Sequence, residues 1–226
     1  MPFTKPLWLF VAAMAVVVVA SNIFVQFPME GQIGSLVLAD VLTWGAFTYP
    51  ISFLITDLAN RRYGPALARR VVFVGFTLAV ASSIIFPPIL FKMGLIPFAL
   101  EPGRIMRVAI ASGTAFLVGQ LMDVSVFNRL RRGSWWRAPI VASILGSLLD
   151  TAIFFSVAFA PAFAFLAAND DFSLQTAPLL GLFEPDVARW VSWALGDLTV
   201  KLTIAVVALI PYRLISARWW PQPLPA

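Results

Sequence analysis

The run "APIVASILGSLLDTAIFFSVAFA", Ala138–Ala160, decides how the chain is read. It holds 23 residues, enough to cross the roughly 30 Å hydrocarbon core of a bilayer as a helix. Its only ionisable side chain is Asp150, near the middle. An acid at that depth costs about 2.5–3.5 kcal/mol on insertion scales and marks a functional site. Ser143, Ser147 and Asp150 follow a four-three spacing, so they share one helix face. Ala142 and Gly146 lie close to that face, and small residues there let another helix approach.

Composition extends this reading to the whole chain. Of 226 residues, 60% are hydrophobic and 12% charged, where soluble domains carry about 25% charged residues. One soluble core of this size cannot hide so much apolar surface. The expected fold is an all-α, polytopic membrane protein forming a single transmembrane domain. Six apolar runs predict six spanning helices at about 7–25, 40–58, 70–91, 107–130, 138–166 and 189–213. Pro50 is expected to kink the second and Pro87-Pro88 to end the third; the fifth is long enough to tilt or to break at Pro161. The first run shows no small-residue cleavage site and is read as a retained helix.

Basic residues set the orientation. Lys5, Arg61, Arg62, Arg69, Arg70, Arg129, Arg131, Arg132, Arg137, Arg213 and Arg218 fall on one side. Lys92, Arg104, Arg107 and Arg189 fall on the other, beside the acidic stretch with Asp170, Asp171, Glu184 and Asp186. Both termini are therefore expected in the cytoplasm. Trp8, Trp44, Trp135, Trp136, Trp190, Trp219 and Trp220 sit near predicted span ends, as interfacial aromatics do. The net charge of +5 is read as loop charge, with no nucleic-acid partner. The chain has neither cysteine nor histidine, which removes thiolate metal sites, the usual zinc ligand and the Ser/His nucleophile pair. No phosphate-cradling glycine loop is present, and no metal, catalytic residue or cofactor is expected.

Polar side chains at membrane depth supply the candidate site. Asn22 is late in the first span, and Thr56 and Asp57 close the second. Gln120 and Asp123, three apart on one face, lie in the fourth; Ser143, Ser147, Asp150 and Thr151 lie in the fifth. In the sixth, Asp197 and Lys201 are four apart with the acid first, the favourable order for an ion pair. This predicts a polar midplane cavity fed by spans one, four, five and six. Asp57, beside Asn60, Arg61 and Arg62, is expected to order the cytoplasmic end of the second span.

Three blocks carry a family resemblance. "YPISFLITDLANRRYGPALARRVVFVGF" (Tyr49–Phe76), "GQLMDVSVFNRLRR" (Gly119–Arg132) and "SILGSLLDTAIFFSVAF" (Ser143–Phe159) resemble the queuosine precursor transporter family. The resemblance runs from about Asn22 to Lys201; the tail "WWPQPLPA" matches none of its motifs. It implies a bacterial inner-membrane protein of six helices that imports 7-cyano-7-deazaguanine and 7-aminomethyl-7-deazaguanine for queuosine salvage. By motif it implies a cytoplasmic block of Thr56, Asp57, Asn60, Tyr63, Gly64 and Arg69, and matched positions at Gln120, Asp123, Asp150 and Lys201. A carboxylate can accept two N–H groups of a guanine-like edge, and an amide can both donate and accept. With Asn22, these residues are the expected substrate contacts; Trp44, Phe24, Phe154 and Phe155 are candidates to stack on the base.

Other readings stay open on the residues alone. One is the substrate-binding membrane subunit of a multi-subunit vitamin importer; another is a carrier of a different small aromatic solute. Two acids on adjacent helices also suit an intramembrane aspartyl protease, but its Tyr-Asp and Gly-x-Gly-Asp motifs are absent. Association into homo-oligomers is left open.

Overall fold

A computed structural model describes residues 5–97 and 99–219. Trp220 and the rest of the proline-rich tail lie outside the described residues, as do the side chains of Lys5, Arg218 and Trp219. The helices are α1 Lys5–Phe24, α2 Gly45–Thr48, α3 Ile51–Tyr63, α4 Pro65–Lys92, α5 Pro102–Leu130, α6 Arg137–Phe159, α7 Asp171–Leu174, α8 Arg189–Val207 and α9 Leu209–Trp219. Five stretches are long and apolar enough to cross a membrane: Leu7–Phe24, Pro65–Lys92, Pro102–Leu130, Arg137–Phe159 and Arg189–Ala217.

The second expected span is not one continuous helix. Residues 41–44 are non-helical, α2 is a single turn, and Pro50 separates it from α3, which runs on to Tyr63 rather than stopping at Leu58. Asp40 belongs to the preceding loop, where its carbonyl accepts from Trp193 Nε1 at 2.9 Å. The cause is local. Pro50 has no N–H to give a helix, and Gly45 packs so tightly on the end of α1 that a Cβ would lie 2.9 Å from Val25 backbone atoms. Gly64, at φ +80, then turns the chain, and Pro65 opens α4, as suits a first helical position.

Two further boundaries differ from expectation. Pro87 and Pro88 do not end α4, which continues to Lys92. They forfeit only two helical bonds near its end, a loss that helices within membranes tolerate. α6 stops at Phe159 rather than Leu166, and Pro161 opens a short 3-10 turn. Two small antiparallel hairpins also appear outside the helices. β1 Gln32–Ile33 pairs with β2 Leu36–Val37, and β3 Thr176–Leu179 pairs with β4 Phe183–Ala188. Their strands, two to six residues long, are too short to register beside the apolar runs.

The tightest helix contact is between α5 and α6, where Gly119 and Gly146 face each other. A Cβ on Gly119 would lie 3.0 Å from the Gly146 carbonyl oxygen, and one on Gly146 would lie 3.0 Å from that of Gly119. The Gly119 site also lies 3.0 Å from the Asp150 Cβ, and the Gly146 site 3.4 Å from the Asp123 Cβ. Around this crossing, Phe116, Val124 and Phe127 of α5 join Met14 and Val18 of α1, Ile55 and Leu58 of α3, Val71 and Val72 of α4, and Tyr212 of α9 in one buried core.

Arginines secure the loop end opposite Arg61. Arg107, only 2% exposed, donates from Nε to the Val157 carbonyl (2.8 Å) and from Nη2 to that of Ala160 (2.8 Å). Its Nη1 reaches the Ala167 carbonyl (2.9 Å) and Asn169 Oδ1 (3.0 Å). A cation thus caps the unpaired carbonyls at the C-terminus of α6, where the helix dipole favours it. Arg104 pairs with Asp170 at 2.7 Å, and the Asp170 carboxylate accepts from the Ser173 amide at the start of α7. Burial would raise the Asp170 pKa, but Arg104 and the backbone amides outweigh it and hold the carboxyl below its ordinary value. Their stabilisation is complete above the unfolded value of about 3.9 and lost only as pH falls through the lowered one.

The glycine crossing yields a stability test. Gly119→Ala pushes a methyl group against the Gly146 carbonyl and the Asp150 Cβ, and Gly146→Ala against the Gly119 carbonyl and the Phe53 ring at 2.7 Å, each at an expected cost of about 1–3 kcal/mol. At Gly103 the nearest atom is a methyl carbon at 3.5 Å, an ordinary contact, so Gly103→Ala should be neutral or stabilising. Thermal unfolding in detergent measures all three. Equal midpoints would refute the crossing.

Candidate functional site

The sixth-span pair exists, and it is part of a larger cluster. Lys201 Nζ contacts Asp197 Oδ2 at 2.5 Å, Asp150 Oδ2 at 2.7 Å and Thr151 Oγ1 at 3.0 Å. All three ammonium protons are thereby used. Thr151 Oγ1 donates to Asp197 Oδ2 at 2.9 Å, and Tyr49 Oη donates to Asp150 Oδ1 at 2.6 Å. Lys201 also sits 5.1 Å from the Tyr49 ring centroid. Asp150 has no base near it in sequence; its partner is 51 residues away, on α8.

A second cluster lies across the glycine crossing. Thr56 Oγ1 donates to Gln120 Oε1 at 2.6 Å, and Gln120 Nε2 donates to Ser52 Oγ at 2.8 Å. Both ends of the Gln120 amide are therefore occupied within the bundle. Asn60 Nδ2 donates to the Val124 carbonyl at 3.0 Å. Asp57 is 1% exposed and sits within hydrogen-bond reach of Asp123, which is 0% exposed. This corrects the expectation for Asp57. It is not a helix-end residue, because α3 continues six residues beyond it and carries it into the bundle.

The remaining expected residues separate. Asn22 donates to the Val18 carbonyl in its own helix and accepts from Ser83 Oγ at 2.7 Å, tying α1 to α4. Trp44 is 48% exposed and leans on Phe47; Phe24 is 42% exposed. Phe154 meets Phe155 and Phe159 edge-on at 5.0 and 6.2 Å. The Tyr63 ring packs edge-on against Phe10, and Arg69 is exposed. Arg131 donates to the Asn60 and Arg61 carbonyls, and Arg61 to the Arg131 carbonyl at 2.7 Å, so the α5–α6 loop is latched to the end of α3.

A narrow cleft runs between α3, α6, α8 and α9. Asp57, Ser143, Ser147, Lys201 and Tyr212 are its polar lining, with Pro50, Phe53 and Leu54 beside Asp57 on the α3 side. Its volume is about 10 Å³, room for about one water. The expected cavity drew on spans one, four, five and six. The observed one draws on two, five and six, because Gly119 and Gly146 shut the space between α5 and α6. Of the expected substrate contacts, Lys201 lines the cleft and Asp150 stands directly behind it. Tyr49 and Ser52 were missed as site residues; each only looks like a polar neighbour of Pro50 in sequence.

The cluster predicts a pattern of stability. Lys201→Met strands two buried acids, and breaking a buried pair typically costs about 3–5 kcal/mol. Adding Asp197→Asn alone leaves Asp150 unpaired and recovers only part. Adding both Asp150→Asn and Asp197→Asn should recover most of the loss. Unfolding midpoints in detergent give the order; full recovery by the double variant would remove Asp150 from the network.

Comparison with known proteins follows the same residues. Residues 43–215 match the family model described as "Putative vitamin uptake transporter". The chain is 35% identical over 203 residues to the "Queuosine precursor transporter" of Escherichia coli strain K12, covering 86% of this chain and 79% of that one. It is 34% identical over 208 residues to a "Probable queuosine precursor transporter" of Haemophilus influenzae, with the same coverage. A Bacillus subtilis protein of that name is 27% identical over 191 residues, 80% of this chain and 73% of that one. No solved structure gives a significant match. With its apolar helices, the chain is a multi-pass membrane protein, in bacteria of the inner membrane. It belongs to the family of these queuosine precursor transporters, the one described as "Putative vitamin uptake transporter".

Proposed function

We propose that the chain imports a queuosine precursor, a 7-deazaguanine base, across the inner membrane, and that it is a transporter and not an enzyme. The observation that carries the reading is the cleft among the spans, lined by Asp57, Ser143, Ser147 and Lys201 together with apolar side chains. Lys201 can donate to the carbonyl of a guanine-like edge, while Asp57, Ser143 and Ser147 can accept from its N–H groups. Asp150 holds Lys201 in place and adds acceptor capacity behind it. A base does not fit into about 10 Å³, so it enters when the helices around the cleft part. The aromatics Phe154 and Trp44 lie away from this cleft, and Phe53 and Tyr212 take the stacking role there.

We also read the α2–α3 segment as a sixth crossing. Nineteen residues from Gly45 to Tyr63 span about 28 Å at 1.5 Å per residue. Its start adjoins the end of α1, and its end meets the loop between α5 and α6. Six crossings place the eleven basic residues and both termini in the cytoplasm. A reporter fused after Ala217 should be active only in a cytoplasm-reading form; periplasmic activity there would sink the topology.

The substrate test is direct binding. Asp150→Asn removes one carboxylate from behind Lys201. Losing a charge-assisted hydrogen bond costs about 1.5–3 kcal/mol, so affinity should fall by about tenfold or more. Purified wild type and variant would be titrated with the cyano and aminomethyl bases. Normal affinity for both bases in the variant refutes the assignment of Asp150. A loss confined to the aminomethyl base would make the acid a counter-ion and not a reader of the edge. Uptake by the single protein in liposomes without ATP separates it from a binding subunit that needs an ATPase.

A further inference from the structure

The substrate reading gives Asp57 a place in the cleft but leaves Asp123, the buried acid beside it, without a role. No hydrogen bond reaches either oxygen of Asp123 or Oδ1 of Asp57. The other Asp57 oxygen accepts only a long 3.4 Å contact from Ser143 Oγ. Beside them, Asn60 is 0% exposed. Its amide nitrogen is fixed on the Val124 carbonyl, one residue from Asp123, and its Oδ1 has no partner.

We propose that Asp57 and Asp123 form a proton-binding site that couples substrate uptake to inward proton movement, an inference that rests on the transporter reading above. Two carboxylates side by side in a buried site cannot both stay ionised without a cation between them. No basic side chain forms an ion pair with either among the described residues. The surrounding charges are accounted for element by element. On α3, Arg61 is engaged with the Arg131 carbonyl, and Arg62 lies over the Tyr63 ring. Arg131, after α5, holds the Asn60 and Arg61 carbonyls. Arg69 and Arg70 of α4 are exposed, and α1 has no ionisable side chain between Leu7 and Phe24. α9 contributes Tyr212, and α6 contributes Ser143 and Ser147, its Asp150 being turned to Lys201 and Tyr49. Lys201 of α8 is spent on Asp150, Asp197 and Thr151.

One proton held between the pair supplies a donor where the carboxyls have none and turns a repulsion into one O–H···O bond. The proton has a route to the substrate, because Asp57 also lines the cleft with Lys201. The cycle balances simply. The pair gains one proton when the cleft faces outward and gives it up when the cleft faces the cytoplasm; no bond of the base is made or broken. On release, two like charges face each other across the contact between α3 and α5, which favours movement of α3 away from α5.

The experiment uses the full chain in proteoliposomes with a pH-sensitive dye inside. Adding either deazaguanine base outside should acidify the lumen, and an acid-outside gradient should drive accumulation. Asp123→Asn should abolish both while base-for-base exchange continues. Accumulation driven by a sodium gradient with no lumen pH change overturns the proposal, as does pH-driven accumulation by Asp123→Asn. Infrared spectroscopy of the protein without substrate provides the second reading. A protonated-carboxyl band at neutral pH should be present in wild type and lost in the Asp57→Asn/Asp123→Asn variant. Its absence from wild type overturns the proton site whatever is transported. The band present with no uptake of either base leaves the proton site standing and sinks the substrate reading.

Discussion

The Gly119–Gly146 contact sets the geometry of everything polar in this protein. Each glycine stands four residues before an acid, in "GQLMD" and "GSLLD". α5 and α6 are joined by a short loop and run antiparallel. Bringing their glycines together therefore sends the two acids to opposite sides of the crossing, each beside the other helix's glycine. Asp123 is delivered to α3 and Asp150 to α8. A side chain at either glycine would separate the helices and take both acids from their partners. In a bilayer, helix association draws little from the hydrophobic effect and depends on such close approach.

The two sides then solve the same electrostatic problem differently. Around Asp150, the cost of burial is met by an ammonium that spends every donor on nearby oxygens. Around Asp123, no cation arrives, and the carboxyls are left facing each other. A fully satisfied buried network rigidifies, while a partly satisfied one is where a structure holds something in reserve. The same helix pair thus supports one satisfied cluster and one whose acceptors are left open. Lys201 and Asp57 meet at the walls of a single cleft, so the state of either cluster is felt at the other.

The sequence made the spans legible because lipid imposes length and apolarity on each one. α1, α4, α5, α6 and α8 each overlie a predicted apolar run, although α6 stops seven residues short of its run and α4 and α5 start five residues before theirs. The Asp197–Lys201 pair was legible because both partners lie on one helix turn. What sequence could not supply was the contact between helices. The partnership of Asp150 with Lys201, of Gln120 with Ser52 and Thr56, and of Asp57 with Asp123 each joins residues more than 50 positions apart. The break at α2–α3 was visible as Pro50, but a proline alone does not distinguish a kink from an interruption. The decision lay in Gly45 pressed on Val25, a tertiary contact.

Both interrupted elements border the cleft. Pro50 lies at the start of α3, and Ala208 separates α8 from α9, three residues before Pro211. Interrupted helices at membrane depth are tolerated only where protein or water satisfies the freed backbone, and in transporters they surround the substrate. The glycine-locked α5–α6 pair has no comparable freedom, since its two backbones are already in contact. If the chain opens as the proposed transporter, the freedom to do so lies in α3 and α9, beside Pro50 and Ala208, and not in the α5–α6 wall. The acids on that wall would stay in place while Asp57 moves with α3; Lys201, on α8 before Ala208, would stay with Asp150. A carrier built this way can change the access of its site without moving the carboxylates of that wall.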